Sequence, residues 1–593
     1  MQDNFFKHAS LEYVNLQGNN IDTVISEKIF AGLENVTNLN LYNQSFKDIK
    51  EHAFSDMKRI QNLNLSRNQI NSIDNSSFSS STALSVLDLS LNNINNIYFL
   101  RNSLPNISEL FLNNNKLVII EEGLFSNHAF LKRLDVSMNN IVTIEPLSLP
   151  LSSLQYFNIA GNRLTGPIKK DVFSPAKFLR YLNLNNLNIT KIEKQAFVDM
   201  PVLTKLNLSH NQIDYIDSDN FKSTINLYSL DFSYNNLSKF EINCSSLGGI
   251  KSIYLNNNQL RDMPSGNLSE ILYLDLSNNQ IANISKPIFK TFHSLRVLHL
   301  SHNKLNYFNN LYTNTLKELS DITLSSNNIT SINLSYFKDL VSLDIRNNSL
   351  NSINSSFLQN MDYLQSLDIS NNNISTLSPG TFKNLKILKL LNMSSNRLTN
   401  LRYGTLKGLH RTEVLDLSKN AISQVDVHVF HECTELRKLI IDYNLLKELD
   451  VEKLIIIAPK LSTVSLGGNP IKCKEIVRSI KNVNTTSIRQ VEVTSIDKIF
   501  HEDNVYGIKC GDTDYSLTTK EPDMHESQPK DSPTSNVLIT ILIVIVIIAV
   551  VALLGLFMYR RNVFLGLNTG ESQLQMRQSL DLSGSDFRGD LLN

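Results

Sequence analysis

Leucine, isoleucine and valine recur in one fixed frame along most of this chain, separated by polar positions. The frame is L-x-x-L-x-L-x-x-N-x-[LI], and its Asn position returns every 21 to 25 residues. Twenty copies place this position, here called the slot, at residues 19, 44, 68, 92, 115, 139, 162, 187, 211, 235, 258, 279, 303, 327, 348, 372, 396, 420, 444 and 469. Only Gln44 and Leu187 depart from Asn. A pattern met this often in register predicts one array of stacked units, because a single unit cannot bury its apolar side alone.

Each copy predicts a short strand, x-L-x-L-x, whose apolar residues point inward while the residues between them face a concave surface. The slot amide can donate to and accept from backbone groups of the turn and of the neighbouring copies. Leu187 cannot do so, and we expect a water or a changed loop there. A bulky Phe column is predicted to fill the convex side, at Phe30, Phe54, Phe78, Phe125, Phe173, Phe197, Phe221, Phe289, Phe337, Phe357, Phe382 and Phe430.

The frame resembles the extracellular leucine-rich repeats of Toll-like receptor ectodomains, chaoptin-type adhesion proteins and insect leucine-rich immune proteins. The resemblance covers residues 1–471, about four-fifths of the chain. It implies an α/β solenoid, a horseshoe of about 20 repeats with a parallel concave sheet. It also implies recognition of an extracellular protein or glycan as the function.

One segment near the C-terminus predicts a transmembrane helix. Val537–Tyr559 contains 23 residues without a charge, which is long enough to cross a bilayer as a helix. Arg560 and Arg561 follow it, whereas residues 511–536 hold six acidic and two basic residues. The positive-inside rule then places the repeats outside the cell and the C-terminus in the cytosol. We expect a juxtamembrane stalk at 512–536 and a cytosolic tail at 560–593.

The beginning of the chain suggests an incomplete N-terminus. Phe5 stands six residues before Leu11, as Phe30 stands six before Val36, so the sequence opens in the back half of a repeat. Relatives of the resembling families carry a secretion signal and a Cys-rich cap before the first repeat, and neither is present in this sequence. We therefore expect an N-terminally incomplete extracellular protein.

The four cysteines divide into two pairs by position. Asn469-Pro470-Ile471-Lys472-Cys473 resembles the opening of the C-terminal cap of extracellular leucine-rich repeats, which implies a cap at 472–511 and a Cys473–Cys510 disulfide. Cys244 and Cys433 lie eight repeats apart. Both are expected to be buried thiols, with a bridge from Cys244 to a partner chain as the alternative.

Eighteen N-x-[ST] sequons suggest glycosylation, although a repeat rich in Asn and Ser produces many by chance. The candidate glycosylation sites are Asn35, Asn75, Asn106, Asn188, Asn283, Asn333, Asn354 and Asn484. Asn64, Asn207 and Asn392 are also sequons, but they fall on predicted concave strands, where a glycan would mask the sheet.

Composition and motifs argue against an enzyme. Lys+Arg and Asp+Glu balance at 56 each, so no general attraction to nucleic acid is expected. The sequence holds no phosphate-binding Gly loop, no H-E-x-x-H, no G-x-S-x-G and no Cys/His spacing suited to zinc. We predict no catalytic residue, cofactor or metal. The 34-residue tail is too short for a signalling domain.

Outward positions of the predicted strands are mostly small and polar, with one aromatic departure on four successive repeats. Tyr234, Tyr254, Tyr273, His299 and His302 form this candidate partner-binding patch. The sequence therefore predicts a single-pass receptor or co-receptor of innate-immune type, without its own signalling domain. The alternative is an adhesion or organiser protein acting through repeat–repeat contacts between cells. Homodimers and heterodimers both stay open.

Overall fold

The computed structural model describes residues 11–486, 491–498 and 504–510, except for positions 28, 146–147, 151, 175, 243–246, 248, 267, 285–291, 309–315, 335–336 and 355. The predicted stalk, membrane helix and tail lie outside the described residues, as do Phe5, Cys244 and Phe289. Within the described residues, no helix combines the length and the apolar character needed to span a membrane.

The described chain is built around one sheet of 21 parallel strands. All but the last of these strands precede a slot residue, as the repeat frame predicts. The strands are Tyr13–Asn15, Asn38–Asn40, Asn62–Asn64, Val86–Asp88, Glu109–Phe111, Arg133–Asp135, Tyr156–Asn158, Tyr181–Asn183, Lys205–Asn207, Ser229–Asp231, Ser252–Tyr254, Tyr273–Asp275, Val297–His299, Asp321–Thr323, Ser342–Asp344, Ser366–Asp368, Leu390–Asn392, Val414–Asp416, Lys438–Ile440, Thr463–Ser465 and Glu492–Thr494.

Each of the twenty repeat strands buries its middle side chain, and the first and third residues lie on the concave face of the sheet. The middle residues Leu182, Leu206 and Leu230, for example, are at most 1% exposed. Successive strands pair in register, so that equivalent residues form columns across the sheet. The period of two along a strand thus fixes which residues a partner can contact.

The slot residues form the predicted ladder of buried amides. In a typical repeat, Asn235 Nδ2 donates to the carbonyl oxygens of Leu208 and Phe232 at 2.9 and 3.1 Å. Its Oδ1 accepts from the Ile213 nitrogen at 3.0 Å. One side chain therefore satisfies backbone groups in two adjacent repeats, which would otherwise be buried without partners.

The two exceptions to the slot pattern behave differently. Gln44 reproduces the Asn bonds, because its Oε1 accepts from the Ile21 nitrogen at 2.9 Å and its Nε2 donates to the Leu16 carbonyl. Leu187 is fully buried and makes no side-chain bond, but its own nitrogen donates to Asn211 Oδ1 at 3.0 Å. The loop after it is altered, since Asn188 has a φ of 58°.

The convex side contains the predicted Phe column. Phe30, Phe54 and Phe78 stack at centroid separations of 5.5 and 5.0 Å. The other described members of the column are also buried. Short 3-10 helices lie at Tyr98–Asn102, Lys170–Val172, Ser218–Phe221 and Val427–Phe430, and parallel two-residue strands pair Asp48–Ile49 with Ser72–Ile73, Ile119–Ile120 with Thr143–Ile144, Glu241–Ile242 with Ser265–Gly266, Tyr307–Phe308 with Ser331–Ile332, and Asn400–Leu401 with Gln424–Val425.

Two helices lie near the C-terminal end of the solenoid, one within the last repeat and one in the cap, where a disulfide also lies. Helix α1, Val451–Ile457, begins where Asp450 Oδ1 accepts from the Lys453 nitrogen at 2.9 Å, an N-cap. Helix α2 spans Cys473–Thr486, and Cys473 is disulfide-bonded to Cys510. An antiparallel pair, Asn504–Val505 with Ile508–Lys509, precedes Cys510. The implied disulfide is thus confirmed.

The cap also supplies the last strand of the main sheet, which the sequence did not predict. Glu492–Thr494 pairs in parallel with Thr463–Ser465 and covers the open edge. Asp442, fully buried, accepts hydrogen bonds at Oδ1 from Ser495 Oγ at 2.9 Å and the Ile496 nitrogen at 2.8 Å. Burial raises the pKa of Asp442 despite these bonds.

Candidate functional site

The third residue of each strand has a structural role in most repeats. In fourteen of the first twenty strands it is Asn or Asp, and its Oδ1 accepts from the backbone nitrogen two residues later. Asp88, for example, accepts from the Ser90 nitrogen at 2.9 Å and from Ser90 Oγ at 2.6 Å. This bond closes the turn that leaves the sheet, so these polar residues are not evidence of a ligand.

Six strands break this column, and the breaks mark the unusual parts of the concave surface. The third residues there are Phe111, Tyr254, His299, Thr323, Ile440 and Ser465. Three of these breaks, Phe111, Tyr254 and His299, lie in two aromatic clusters that span neighbouring strands. Where an aromatic ring replaces the turn-closing Asn or Asp, the repeat presents a side chain on the concave surface that the turn does not need.

The first cluster contains three of the five predicted patch residues. The rings of Tyr254 and Tyr273 are 5.0 Å apart between centroids and tilted by 41°. Tyr273 meets His299 edge-on at 5.3 Å, and its hydroxyl lies 3.4 Å from His299 Nδ1. All three side chains are half-buried and face the concave side. We call Tyr254, Tyr273 and His299 the central patch.

A carboxylate anchors one end of the central patch. Asp275 Oδ1 accepts from the Ser277 nitrogen at 2.9 Å, while Oδ2 lies 3.9 Å from His299 Nδ1. Burial alone would raise the pKa of Asp275, but the nearby His299 ring and the hydrogen bonds from Ser277 hold that pKa below its ordinary value. Asp275 is therefore ionised at neutral pH and places a negative charge beside the His299 ring.

The prediction that all five patch residues lie on strands is wrong for Tyr234 and His302. Both occupy the position just before a slot, with φ values of 55°. The Tyr234 ring stacks on His210 at 4.1 Å. The residue before every one of the twenty slots has positive φ, because the chain reverses there while its nitrogen still donates to the next repeat, as Tyr234 does to Asn256 at 2.9 Å. Turn geometry, which periodicity does not reveal, decides this placement.

The second cluster was missed by the sequence reasoning. The guanidinium of Arg133 lies between two rings, with its Cζ 5.3 Å from the Phe111 centroid and 4.2 Å from that of Tyr156. Tyr156 stacks in turn on Tyr181 at 4.5 Å with only 3° between the ring planes. The signal was present in the sequence, since Arg133, Tyr156 and Tyr181 are the first strand residues of three successive repeats.

Packing changes the acidity of the phenols in this second cluster. Burial, with the nearby charge of Asp135 adding to it, raises the pKa of Tyr181 to about 12. Burial also raises the pKa of Tyr156. Both hydroxyls are therefore neutral donors at any physiological pH. The cluster presents a fixed cation and two neutral phenols side by side.

Seven of the eight candidate glycosylation sites have exposed side chains. They are Asn35, Asn75, Asn106, Asn188, Asn283, Asn333 and Asn354. Asn484 lies within helix α2. The three concave sequons, Asn64, Asn207 and Asn392, lie on strands, as predicted, and each uses its Oδ1 to close the following turn.

The remaining polar chemistry of the described residues is sparse. No cluster of three or more His, Cys, Asp or Glu in this part of the chain is arranged to hold a metal ion. Cys433 is a buried free thiol, and burial raises its pKa to about 12. That thiol is unreactive at neutral pH, as expected for a core cysteine.

Two family models match the sequence, and both describe leucine-rich repeats. The family described as "Leucine rich repeat" matches residues 152–213, 202–260, 269–329, 338–398 and 388–446. The family described as "BspA type Leucine rich repeat region (6 copies)" matches residues 1–132. Together they span most of the solenoid. No curated protein matches the sequence significantly.

Solved structures share the fold at low sequence identity. The plant peptide hormone receptor RGFR1, in complex with RGF2, is 21% identical over 82% of this chain and 79% of its own, with a TM-score of 0.60. The ectodomain of GASSHO1/SCHENGEN3 from Arabidopsis thaliana, in complex with CASPARIAN STRIP INTEGRITY FACTOR 2, is 22% identical over 78% of this chain, with a TM-score of 0.56. TLR13, in complex with ssRNA13, is 25% identical over 77% of this chain, with a TM-score of 0.49.

The match to some of these proteins is partial in length. This chain spans 63% of the TLR13 chain and 59% of the GASSHO1/SCHENGEN3 chain. The similarity establishes the repeat fold. It leaves the ligand of this chain to be argued from its own concave surface.

Proposed function

We propose that this chain, a leucine-rich-repeat protein, recognises a protein partner on its concave sheet and carries out no catalysis. The observation that carries the proposal is the central patch. Tyr254, Tyr273 and His299 replace or adjoin turn-closing residues and contact one another on a continuous sheet. Aromatic side chains on a rigid surface give large contact area at low entropic cost.

We further propose that the protein is a type I single-pass receptor or co-receptor of innate-immune type at the plasma membrane, with its repeats outside the cell. The uncharged segment 537–559 and the arginines after it support this topology. The Cys473–Cys510 disulfide supports an oxidising compartment for the repeats.

A double substitution tests the central patch. In the full chain, Tyr254→Ala with Tyr273→Ala should weaken binding of the partner by about 1–4 kcal/mol, because both rings face the partner and neither fills the core. The partner is identified by photo-crosslinking from p-benzoylphenylalanine placed at residue 273 on the cell surface. The same crosslinker at residue 438, on a distant strand, is the matched position control.

The controls separate loss of the site from loss of the fold. Tyr363→Ala removes an exposed tyrosine away from the patch and should leave binding unchanged. Thermal unfolding of all variants should stay close to wild type. Equal crosslinking from residues 273 and 438, or full binding by a folded double variant, would place the partner elsewhere on the molecule.

An adhesion protein is the second candidate, and one observation favours it. Phe130, Phe178 and Ile225 lie in turns that lead into strands and are 59%, 54% and 57% exposed. Exposed apolar residues on one side of a repeat array suit contacts between copies of the array. Cells displaying the full chain should aggregate with one another if adhesion is the function, and Phe130→Ser with Phe178→Ser should abolish that aggregation.

A further inference from the structure

The cluster around Arg133 continues into a fourth strand, where a second cation closes it. Arg133, Tyr156, Tyr181 and Lys205 are the first residues of four successive strands and pair in register. The stacked tyrosines therefore lie between an arginine and a lysine. We call this set of four residues, the stacked pair Tyr156 and Tyr181 with a cation on each side, the bracketed pair.

Neither cation of the bracketed pair forms an ion pair with a described carboxylate, although Glu109 on the preceding strand pairs in register with Arg133. Among the described residues no carboxylate forms an ion pair with Arg133 or Lys205, and Arg133 Nε is buried without a hydrogen bond. Asp135, on the same strand as Arg133, is committed elsewhere. Its Oδ1 accepts from the Ser137 nitrogen at 3.0 Å and its Oδ2 from Asn158 Nδ2 at 3.0 Å.

The rings hold the guanidinium in one orientation, which favours a planar acceptor. The guanidinium carbon lies within cation–π distance of both the Phe111 and the Tyr156 rings, and these two contacts restrict its orientation. The two Nη groups of arginine form a fork that fits a carboxylate with two parallel hydrogen bonds. Lys205 at the other end attracts a second anion, and its flexible ammonium group does not require that anion to have one orientation.

Spacing identifies the kind of chain that carries the two anions. Neighbouring strands lie about 4.8 Å apart, so three steps separate Arg133 from Lys205 by about 14 Å. An extended polypeptide advances about 3.4 Å per residue and turns every second side chain to the same side. Residues i and i+4 of such a peptide therefore face the sheet about 14 Å apart, with residue i+2 between them over Tyr156 and Tyr181.

We propose that the bracketed pair binds an extended acidic peptide segment of the form [DE]-x-Φ-x-[DE], where Φ is apolar or aromatic. The peptide crosses the strands along the axis of the solenoid. One carboxylate pairs with Arg133, the other with Lys205, and Φ packs over the two tyrosine rings. This inference rests on the proposed recognition function but uses a surface distinct from the central patch.

A defined peptide provides the test. The probe is fluorescein-labelled Ser-Glu-Ser-Leu-Ser-Glu-Ser-amide, and fluorescence anisotropy measures its binding to the purified full chain. Replacing both Glu by Gln in the peptide should abolish binding. Moving the second Glu one residue closer should weaken binding at least as much as losing one charge, because the two acids then face opposite sides of the strand.

Protein variants test each end of the site. Arg133→Gln and Lys205→Gln should each weaken peptide binding about fivefold or more. Lys438→Gln changes a lysine at the same strand position in a distant repeat and should have no effect. If Arg133→Gln lowers the unfolding temperature, Arg133→Lys, which keeps the charge but not the fork, replaces it and should still weaken binding.

The outcomes separate this proposal from the proposed function. Tyr254→Ala with Tyr273→Ala should leave peptide binding intact. Equal binding of the peptides with the original and the shortened Glu spacing would overturn the peptide assignment. The assignment would also be overturned if a sulfated oligosaccharide bound and Arg133→Gln weakened that binding more than it weakened peptide binding. If the peptide fails while the central-patch variant still loses its partner, this inference falls and the proposed function stands.

Discussion

Two side-chain roles at the residue scale explain why the repeats tolerate so much variation on the surface. The slot Asn satisfies backbone groups of two repeats, and the third strand residue closes the turn that leaves the sheet. Positions that serve neither role are free to vary. Aromatic residues at the third strand position, such as Phe111 and Tyr254, do not close the turn and are therefore the positions that indicate a binding surface.

The slot role predicts a large cost for a single amide. Asn68 Nδ2 donates to the Leu41 and Leu65 carbonyls at 3.0 and 2.9 Å, and its Oδ1 accepts from the Gln44 nitrogen at 3.1 Å. Asn68→Leu should lower the free energy of unfolding by about 2–4 kcal/mol, because these buried groups lose their partners. Asn71→Leu, an exposed change in the same repeat, is the control in a denaturant titration. Equal stabilities for the two variants would contradict the role given to the slot.

A buried imidazole predicts a pH dependence of stability. His128 is fully buried, neither ring nitrogen has a hydrogen-bond partner among the described residues, and burial lowers its pKa. As pH falls below about 6.5, the unfolded chain binds a proton that the folded chain excludes, so stability falls by up to about 1.4 kcal/mol per pH unit. Stability from this residue is fully retained above that pH.

The substitution His128→Leu should remove this contribution. Unfolding temperatures of the variant and the wild type, measured at pH 7.5 and pH 5.5, should differ less for the variant. His210→Gln, an exposed position, should leave the wild-type difference unchanged. An identical pH response in wild type and His128→Leu would show that other groups control acid sensitivity.

The cap shows how one end of the array is finished at the scale of elements. The last strand, Glu492–Thr494, extends the sheet by one step, and buried Asp442 holds the residues that follow it. A side chain at Gly467 would overlap Ser495, so the close approach of these two segments requires glycine. The cap is therefore a continuation of the sheet as well as a lid.

Loss of the disulfide should loosen this cap. The bond closes a segment with a sequence separation of 37 residues, for which the chain-entropy model gives about 3–4 kcal/mol. Cys473→Ala should lower stability by about that amount and lower secretion of the full chain. Cys433→Ala, which removes a buried free thiol, should cost less. Hydrogen exchange at 492–494 should rise in Cys473→Ala and stay unchanged in Cys433→Ala.

At the scale of the whole molecule, the concave sheet presents two aromatic surfaces with one polar strand between them. The bracketed pair ends at Lys205, and the central patch begins at Tyr254, three strand steps beyond Tyr181. One strand, Ser229–Asp231, lies between them and ends in the turn-closing Asp231, while the sequon Asn207 lies on the same strand as Lys205. We expect two separable binding sites on one sheet.

The proposed topology predicts glycosylation of the repeats. Seven candidate sequons have exposed side chains in the described repeats. Protein from cells, expressed with a supplied secretion signal, should gain gel mobility after treatment with an N-glycosidase. The Asn75→Gln variant should show a smaller shift than wild type. No shift for either protein would contradict an extracellular location of the repeats.

The fold follows from the amino-acid pattern alone, because the same apolar and Asn positions recur in twenty copies. Every slot, every inward leucine and the described Phe column lie where the frame places them. The Cys473–Cys510 pairing also followed from resemblance to a known cap. These features depend on contacts between a repeat and its immediate neighbours, and such contacts recur at a fixed sequence distance.

Contacts between side chains on different strands are apparent only in the folded protein. Arg133 lies between Phe111 and Tyr156 because three strands align in register and two different strand positions converge. Tyr234 leaves the patch because backbone reversal before the slot turns it toward His210. The last strand comes from the cap, outside the repeat frame. Ring geometry and the pairing of the cap strand leave no periodic signal in the sequence, and the left-handed position before each slot is filled by many residue types. These features are therefore fixed only when the chain is folded.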